Sequence, residues 1–554
     1  MNTILLRVLW TNLISIANEQ ARALRRTAFS PVVREAGDLA VAVLDARGRL
    51  VANAVTGAPG HINTMRTAGE HFIRAFPPHT LEPGDQLITN DPWLASAHFF
   101  DVTVFSPIFY REKVIGFVGS CIHQTDIGGY GMGAGARDVH EEGLWIPLLK
   151  LYEAGEPNKT LFDIIRSNVR EPEHVLGDLA AQVSAGRIGA ERIATLCERH
   201  GLGDLQELSD AIIDRSEEAT RAAIRKLKPG TYHGDTIFDV PGGEEVVIKV
   251  AITIDTEKGE MTTDFAGSSP PSQLGINVCL NYTKAYNAFA IHCCLNPDVP
   301  NNNGSLEPFK VIAPERSIVN ARYPSPVSAR HVVGMHVPMP VMKALYHVLP
   351  ETVLAECAGG LWSAQIFGRD QNGRAFASSM FNYSGGMGAR ANKRGLSATC
   401  YPAGISAVPI EVLEADMPIV FDRKELLRGT GGKGQFAGGD GQIVEFHLET
   451  KQPWMLNAIV SRTRHESDGL AGASAGAAGR FLVNGKSVYD ARKMIMKPAD
   501  QVVLETPGGG GFGAVTPVRK APAKKAVAAK SRKGAKSTKS RRTNGTAKRH
   551  EARR

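Results

Sequence analysis

The chain has 554 residues, with 64 Lys plus Arg against 56 Asp plus Glu, and the resulting +8 is unevenly spread. Residues 517–554 alone carry 15 Lys/Arg and a single acid, Glu551, so this tail holds +14 and the remaining 516 residues hold −6. A body of that length carries about three domains' worth of chain, which excludes a small disulfide scaffold; seven cysteines with no CxxC spacing fit reduced thiols in a cytoplasmic protein, and no run of about 18 apolar residues marks a membrane helix.

The N-terminal ILLRVLWTNLISIA lacks a basic leader and a cleavage site, so it reads as a helix rather than a signal peptide. Leu5, Leu9, Leu13 and Ile16 recur at helical spacing. The pattern DLAVAVLDARGRLVAN predicts two strands around a turn at Asp45 and Gly48. DVTVFSPIF and KVIGFVGSCIH predict a second hairpin turning through Arg111, Glu112 and Lys113. From about residue 159 to 228 charged and apolar residues alternate at helical spacing, and Pro229-Gly230 stops the run. TIFDV, EVVIKVAITID and GEMTTDFAG return to strands, followed by helices in YTKAYNAFAIHCCL and PMPVMKALYHVLP. From about 359 to 513, short strands are broken by glycine clusters; with 57 Gly, against a usual share of about 7%, close backbone approaches are expected there. The fold class read from this is a multidomain α+β arrangement: a hairpin-rich region 1–158, a helical segment 159–230, a glycine-rich α+β region 231–516 and a tail 517–554. That tail has too little apolar bulk to offset the entropy of ordering and is expected to be disordered.

Three motif matches fail on context. GASAG, residues 472–476, fits G-x-S-x-G, but neither an apolar strand precedes it nor a helix follows. GTGGKG, residues 429–434, fits a dinucleotide fingerprint but follows the charged FDRKELLR. GRFLVNGKS resembles a phosphate loop, yet Asn484-Gly485 between FLV and SVY is a hairpin signal. No segment reads convincingly as a nucleotide site.

The informative stretch is NDPWLASAHFFDVTVFSPIFYREKVIGFVGSCIHQTDIGG, residues 90–129. A hairpin centred on Glu112 pairs Asp101 with His123, and directly opposed residues share a face with Cβ atoms about 5 Å apart. His98 joins them if the chain bends as it leaves the Asn90-Asp91-Pro92 turn. Two imidazoles and one carboxylate with no thiolate suit Zn, Mn or Fe and leave coordination positions open; packed or surface histidines are the alternative. Asp126, just past His123, reads either as a turn cap or as an acid/base or outer-sphere group. His61, in GHINTM, stands isolated in sequence.

Taken together, RTAFSPVVREAGDLAVAVLDARGRLVA, GHINTM, GDQLITNDPWLASAHFFDVTVFSPIF, HQTDIGG, EEGLWIP, DFAGSS, NNNGSLEP, SGGMGAR, GGKGQFAGGDG and TPGGGGFG resemble, in that order, the hydantoinase B/oxoprolinase family over residues 3 to 514. The resemblance implies the B-type subunit of an ATP-dependent enzyme that opens cyclic amides or carboxylates ketones. It implies a partner, a hydantoinase A-type subunit with an actin-like ATPase fold, which binds ATP/Mg and phosphorylates the substrate's carbonyl oxygen. It also implies a divalent metal at Asp38, His98, Asp101 and His123, adding Asp38 to the hairpin set. Beside that set, Asp126 and His61 are candidates for proton transfer or for orienting the metal ligands. Two positions depart from the family pattern: Ala95-Ser96 stands where Gly-Gly is usual, and Arg394-Gly395 where Asp-Gly is usual. Cyclic amide hydrolysis is favoured because the body is compact for an acetone-type carboxylase. Nonspecific nucleic-acid binding through the tail is the alternative of another class, and its affinity would fall steeply with salt.

Overall fold

A seven-stranded antiparallel sheet places the hairpin residues between two helical layers. The computed structural model describes residues 2–377, 383–490 and 492–515, so the basic tail lies outside the described residues. Helix α1 (Thr3–Thr27) is capped by the Asn2 side chain, which accepts the Ile4 amide at 2.9 Å. Its buried stripe runs through Leu6, Leu9, Leu13 and Ala17, and Ile16 packs beside it; of the expected series only Leu5 is exposed, its place in the core taken by Leu6. Strands β1 (Leu39–Asp45) and β2 (Leu50–Asn53) form the first hairpin. Its turn is fixed by Asp45, which accepts the amides of Arg47 and Arg49 at 2.9 Å, and by Gly48 at φ 78°.

Helix α2 (Pro59–Ala75) follows, then β3 (Gln86–Thr89), β4 (Asp101–Tyr110) and β5 (Lys113–His123). Arg111 and Glu112 both take positive φ, 49° and 64°, the left-handed pair that a two-residue hairpin turn requires. Tyr110 and Lys113 flank that turn. A register shift between Ile108 and Phe109 restores the frame in which Asp101 opposes His123. With β6 (Leu149–Glu153) and β7 (Glu156–Pro157), the sheet order is β2-β1-β5-β4-β3-β6-β7.

Side chains alternate across this sheet. Ala40, Ala42, Leu44, Phe105, Phe117 and Cys121 face α2 and pack on its Ile62, Met65, Ala68 and Phe72. The expected helical stretch forms three helices, α3 (Lys159–Asn168), α4 (Pro172–Arg199) and α5 (Gln206–Ile224), and on the other face Leu39, Val41, Val43, Val118 and Ile122 meet α1, α4 and α5. Two fully covered faces explain why β4 and β5 read as continuous apolar runs.

A second sheet, in the order β11-β10-β9-β8, comprises β8 (Gly230–Asp239), β9 (Glu245–Asp255), β10 (Glu260–Asp264) and β11 (Phe309–Ile312). Between β10 and β11 lies helix α6 (Leu280–Leu295), which packs against α2. Two further antiparallel sheets of four and five strands lie within residues 363–505. The fold is α+β.

The glycine clusters pack backbone on backbone. Gly432 N–H donates to Gly509 O at 2.8 Å, Gly509 N–H to Gly439 O at 3.0 Å and Gly439 N–H to Met387 O at 2.9 Å. A Cβ on Gly438 would lie 1.9 Å from Gly509 O, so the segments approach only because that position has no side chain. GTGGKG belongs to this packing and sits between no strand and helix, while Asn484-Gly485, at φ 50° and 74°, turns a hairpin. No described helix is long and apolar enough to cross a membrane, and all seven cysteines are free.

Candidate metal centre

Asp101 is fully buried at the first residue of β4, and its carboxylate gathers three imidazoles. His123 Nδ1 lies 3.0 Å from Oδ1, as the cross-strand register dictates. His98 Nε2 lies 2.8 Å from the same oxygen. The bend that brings it there uses Asp91, whose Oδ1 accepts the Trp93 amide at 2.9 Å, and Ala97 at φ 71°. His61 stands in the first turn of α2, which lies over this face of the sheet, and its Nε2 is 2.8 Å from Asp101 Oδ2. Asp38 follows a π-helical turn (Val32–Ala36) and Gly37 at φ 69°, and its Oδ1 is 3.6 Å from His61 Nδ1.

The structure therefore brings Asp38, His61, His98, Asp101 and His123 together. Within that group, His98, Asp101 and His123 offer donor atoms all within 4.8 Å of one another, as do His61, Asp101 and Cys121; Asp38 belongs to neither set. Asp126 is engaged elsewhere. Its Oδ1 pairs with Arg170 at 2.7 Å and its Oδ2 accepts the Arg170 amide, tying the loop after β5 to the entry of α4.

Four residues that meet this group or line the space beside it escaped the sequence reading: Arg330, His331, Ser328 and Tyr282. They lie more than 150 residues from the hairpin, and the only local sign is the Arg-His pair in SARHVV. The Arg330 guanidinium pairs with Asp101 Oδ2, donates from Nε to Ser96 O at 2.7 Å and lies over the Tyr282 ring at 4.1 Å. Ser96, at one of the positions that departs from the family pattern, also places its hydroxyl 3.0 Å from Cys121 Sγ and 3.2 Å from Thr64 Oγ1.

The electrostatics follow from burial and these contacts. Burial alone would raise the Asp101 carboxyl, but Arg330 and the imidazoles of His61 and His98 hold it well below the usual carboxylate range. Burial, reinforced by Arg330, pushes His98 down to about 3, so its ring is neutral. For His61, burial works downward but Asp101 and Asp38 outweigh it and raise its pKa.

The donor chemistry fits a divalent cation. His98 Nδ1 donates its proton to Ser328 O at 2.8 Å, leaving Nε2 as a lone pair without a hydrogen-bond partner. That lone pair faces a carboxylate oxygen at 2.8 Å, an arrangement of two acceptors that a cation between them makes favourable. Beside the group is a cavity of ≈ 20 Å³, room for a water-sized species. Asp38, His61, His98, His123, Arg330 and His331 supply its polar wall, and Tyr282, Tyr286, Met132, Met335 and Leu361 line the remainder.

The family model for hydantoinase B/oxoprolinase matches residues 2–515. The chain belongs to that family. It is 32% identical over 93% of its length to an uncharacterised protein of Methanocaldococcus jannaschii, covering 91% of that protein. It is 30% identical to a putative B-type subunit of a D-/L-hydantoinase from a Pseudomonas species, over 80% of this chain and 78% of the relative. Against the 5-oxoprolinase of Arabidopsis thaliana identity is 28%, and this hydantoinase B-type chain spans only 41% of that longer protein. Among solved structures, the ATP-dependent caprolactamase from Pseudomonas jessenii superposes with TM-score 0.84 at 25% identity, covering 93% of this chain and 91% of that one. A nucleotide-free acetone carboxylase shares the fold, with TM-score 0.83 at 18% identity over 92% of this chain and 75% of its own.

Proposed function

We propose that this chain is the metal-holding subunit of an ATP-dependent cyclic amide hydrolase and acts with an A-type subunit that binds ATP and Mg. The observation that carries this is the buried Asp101 carboxylate on which His98 and His123 converge, with the His98 lone pair aimed at it. The B-type and caprolactamase relatives support the class of reaction. The body matches the caprolactamase chain nearly end to end but spans only three quarters of the acetone carboxylase chain, which favours amide hydrolysis over ketone carboxylation.

In this reading His98, Asp101, His123 and Asp38 hold the ion, which their nitrogen and oxygen donors suit for Zn, Mn or Fe. A divalent ion there supplies Lewis-acid activation of water. Ser328 fixes the His98 tautomer through its carbonyl, and Arg330 offsets the Asp101 charge. His61, held between Asp101 and Asp38, orients the site and moves a proton at Nδ1, which has no hydrogen-bond partner in the buried interior. Phosphorylation by the partner makes the amide carbon electrophilic: water adds to it, the ring C–N bond breaks as the nitrogen takes a proton, and the resulting acyl phosphate is hydrolysed to carboxylate and phosphate, so ATP supplies the driving force that an unactivated amide lacks. The proposed location is the cytoplasm, where ATP is available.

Co-expression with the A-type partner tests the proposal. ATP-dependent ring opening of a hydantoin, 5-oxoproline or caprolactam is expected, with one ADP per ring opened, and His123→Ala should lose both metal and turnover. A bicarbonate-dependent carboxylated product from acetone or acetophenone, with no ring opening, would assign the chain to the carboxylases instead.

A further inference from the structure

His331 is the unexplained group of the cavity. It is 3% exposed, opens the short helix His331–Gly334, and has no hydrogen-bond partner at either ring nitrogen. It lines the cavity beside His98 and His123, yet no set of metal-range donors among the described residues includes it. Burial, with Arg330 beside it, drives its pKa well below the ordinary value, so the ring is neutral and keeps one N–H donor and one acceptor. A buried imidazole with two idle nitrogens carries an uncompensated desolvation cost that an apolar side chain of similar size would avoid.

The backbone that presents His331 is fixed from outside the cavity. The Glu142 carboxylate accepts the amides of Val327 and Ser328, Gly275 O accepts the Ala329 amide at 2.6 Å, and Asn277 donates to Pro326 O at 3.0 Å. One short segment thus delivers the Ser328 carbonyl to His98, the Arg330 guanidinium to Asp101 and an unpaired imidazole to the space between. Preorganised donors of this kind are what a developing negative oxygen requires.

We propose that His331 is a further catalytic residue, which hydrogen-bonds the oxygen that water brings to the substrate's reacting carbon as negative charge develops there, and forms with Arg330 a subsite for a small oxyanion. This rests on the metal-site reading of the proposed function. The test uses the full-length chain loaded with Co(II) and titrated with formate as the probe, followed through the cobalt absorption bands. His331→Phe and His331→Met are expected to keep one cobalt per chain and the ligand-free spectrum, while formate binding weakens about tenfold, the size of one good hydrogen bond. His331→Gln, which retains an N–H donor, is expected to recover most of that loss. Unchanged formate affinity in the apolar variants overturns the proposal, as does an altered ligand-free spectrum or lost cobalt in all three, which would make His331 a metal ligand. A wild-type chain that binds cobalt but shows no response to formate overturns the subsite alone, whereas one that takes up no cobalt overturns the metal reading and the subsite with it.

Discussion

The hairpin of β4 and β5 and the glycine-rich segments are built by opposite means. In the hairpin, side chains alternate across a sheet covered on both faces, and one end of that alternation presents Asp101 opposite His123. In the glycine-rich region, backbone packs on backbone at positions where a single methyl group would collide with a carbonyl. The first region uses side chains to do chemistry; the second uses their absence to bring distant segments together. Substitutions in the two should therefore fail differently, one through charge and metal and the other through steric overlap.

The largest effect is expected at Asp101. Asp101→Ala should remove metal and activity and leave Arg330 as an unpaired buried cation, costing about 3–5 kcal/mol of stability in denaturant unfolding. A variant that loses metal but keeps full stability would show that Arg330 finds another partner. Gly438→Ala comes next. Its methyl meets Gly509 O, which cannot move aside as a flexible side-chain end can, so a loss of about 1–3 kcal/mol is expected with no change in the metal ligands themselves. Wild-type stability in this variant would mean that the backbone packing is looser than described.

A pH experiment tests the support of the metal centre, because Glu142 clamps the segment that serves it. Burial raises its carboxyl from an ordinary 4.5 to about 8. Between those values the folded state binds more protons than the unfolded one, so this group's contribution to stability falls as pH rises. Glu142→Gln should flatten that decline in urea midpoints measured from pH 5 to 8; an unchanged slope would assign the pH dependence to other groups. The smallest effect is expected at Gly203, which is exposed and has open space around the position of an added Cβ. Gly203→Ala should lie within about 0.5 kcal/mol of wild type, and a larger change would weaken the steric argument made for Gly438.

This contrast also explains what could be read from the sequence. The Asp101–His123 pair was legible from alternation about a turn centred on Glu112; the two-residue turn at Arg111-Glu112 alone would oppose Asp101 to Ile122, and the one-residue shift near Ile108 brings His123 into register. His98 was legible because it lies on the same segment. Asp38 entered through the family resemblance, and its place beside His61 in the cavity required the fold. Arg330 and His331 carried no periodic signal: they reach the site through a loop held by Glu142, Gly275 and Asn277, a long-range arrangement with no local pattern. In α1 the apolar face was legible at Leu9, Leu13 and Ile16, but Leu5 and Leu6 are equivalent in composition and only packing on the sheet selects Leu6. The glycine clusters announced close approach without saying which segments would meet.

Metal content tests the central claim most directly. Purified full-length chain, analysed by elemental mass spectrometry beside His98→Ala and His123→Ala variants shown to be folded by circular dichroism, should contain about one divalent ion per chain in the wild type and none in either variant. A wild-type chain that takes up no divalent ion after reconstitution, or folded variants that retain a full equivalent, would contradict the assignment of the Asp101 centre as a metal site.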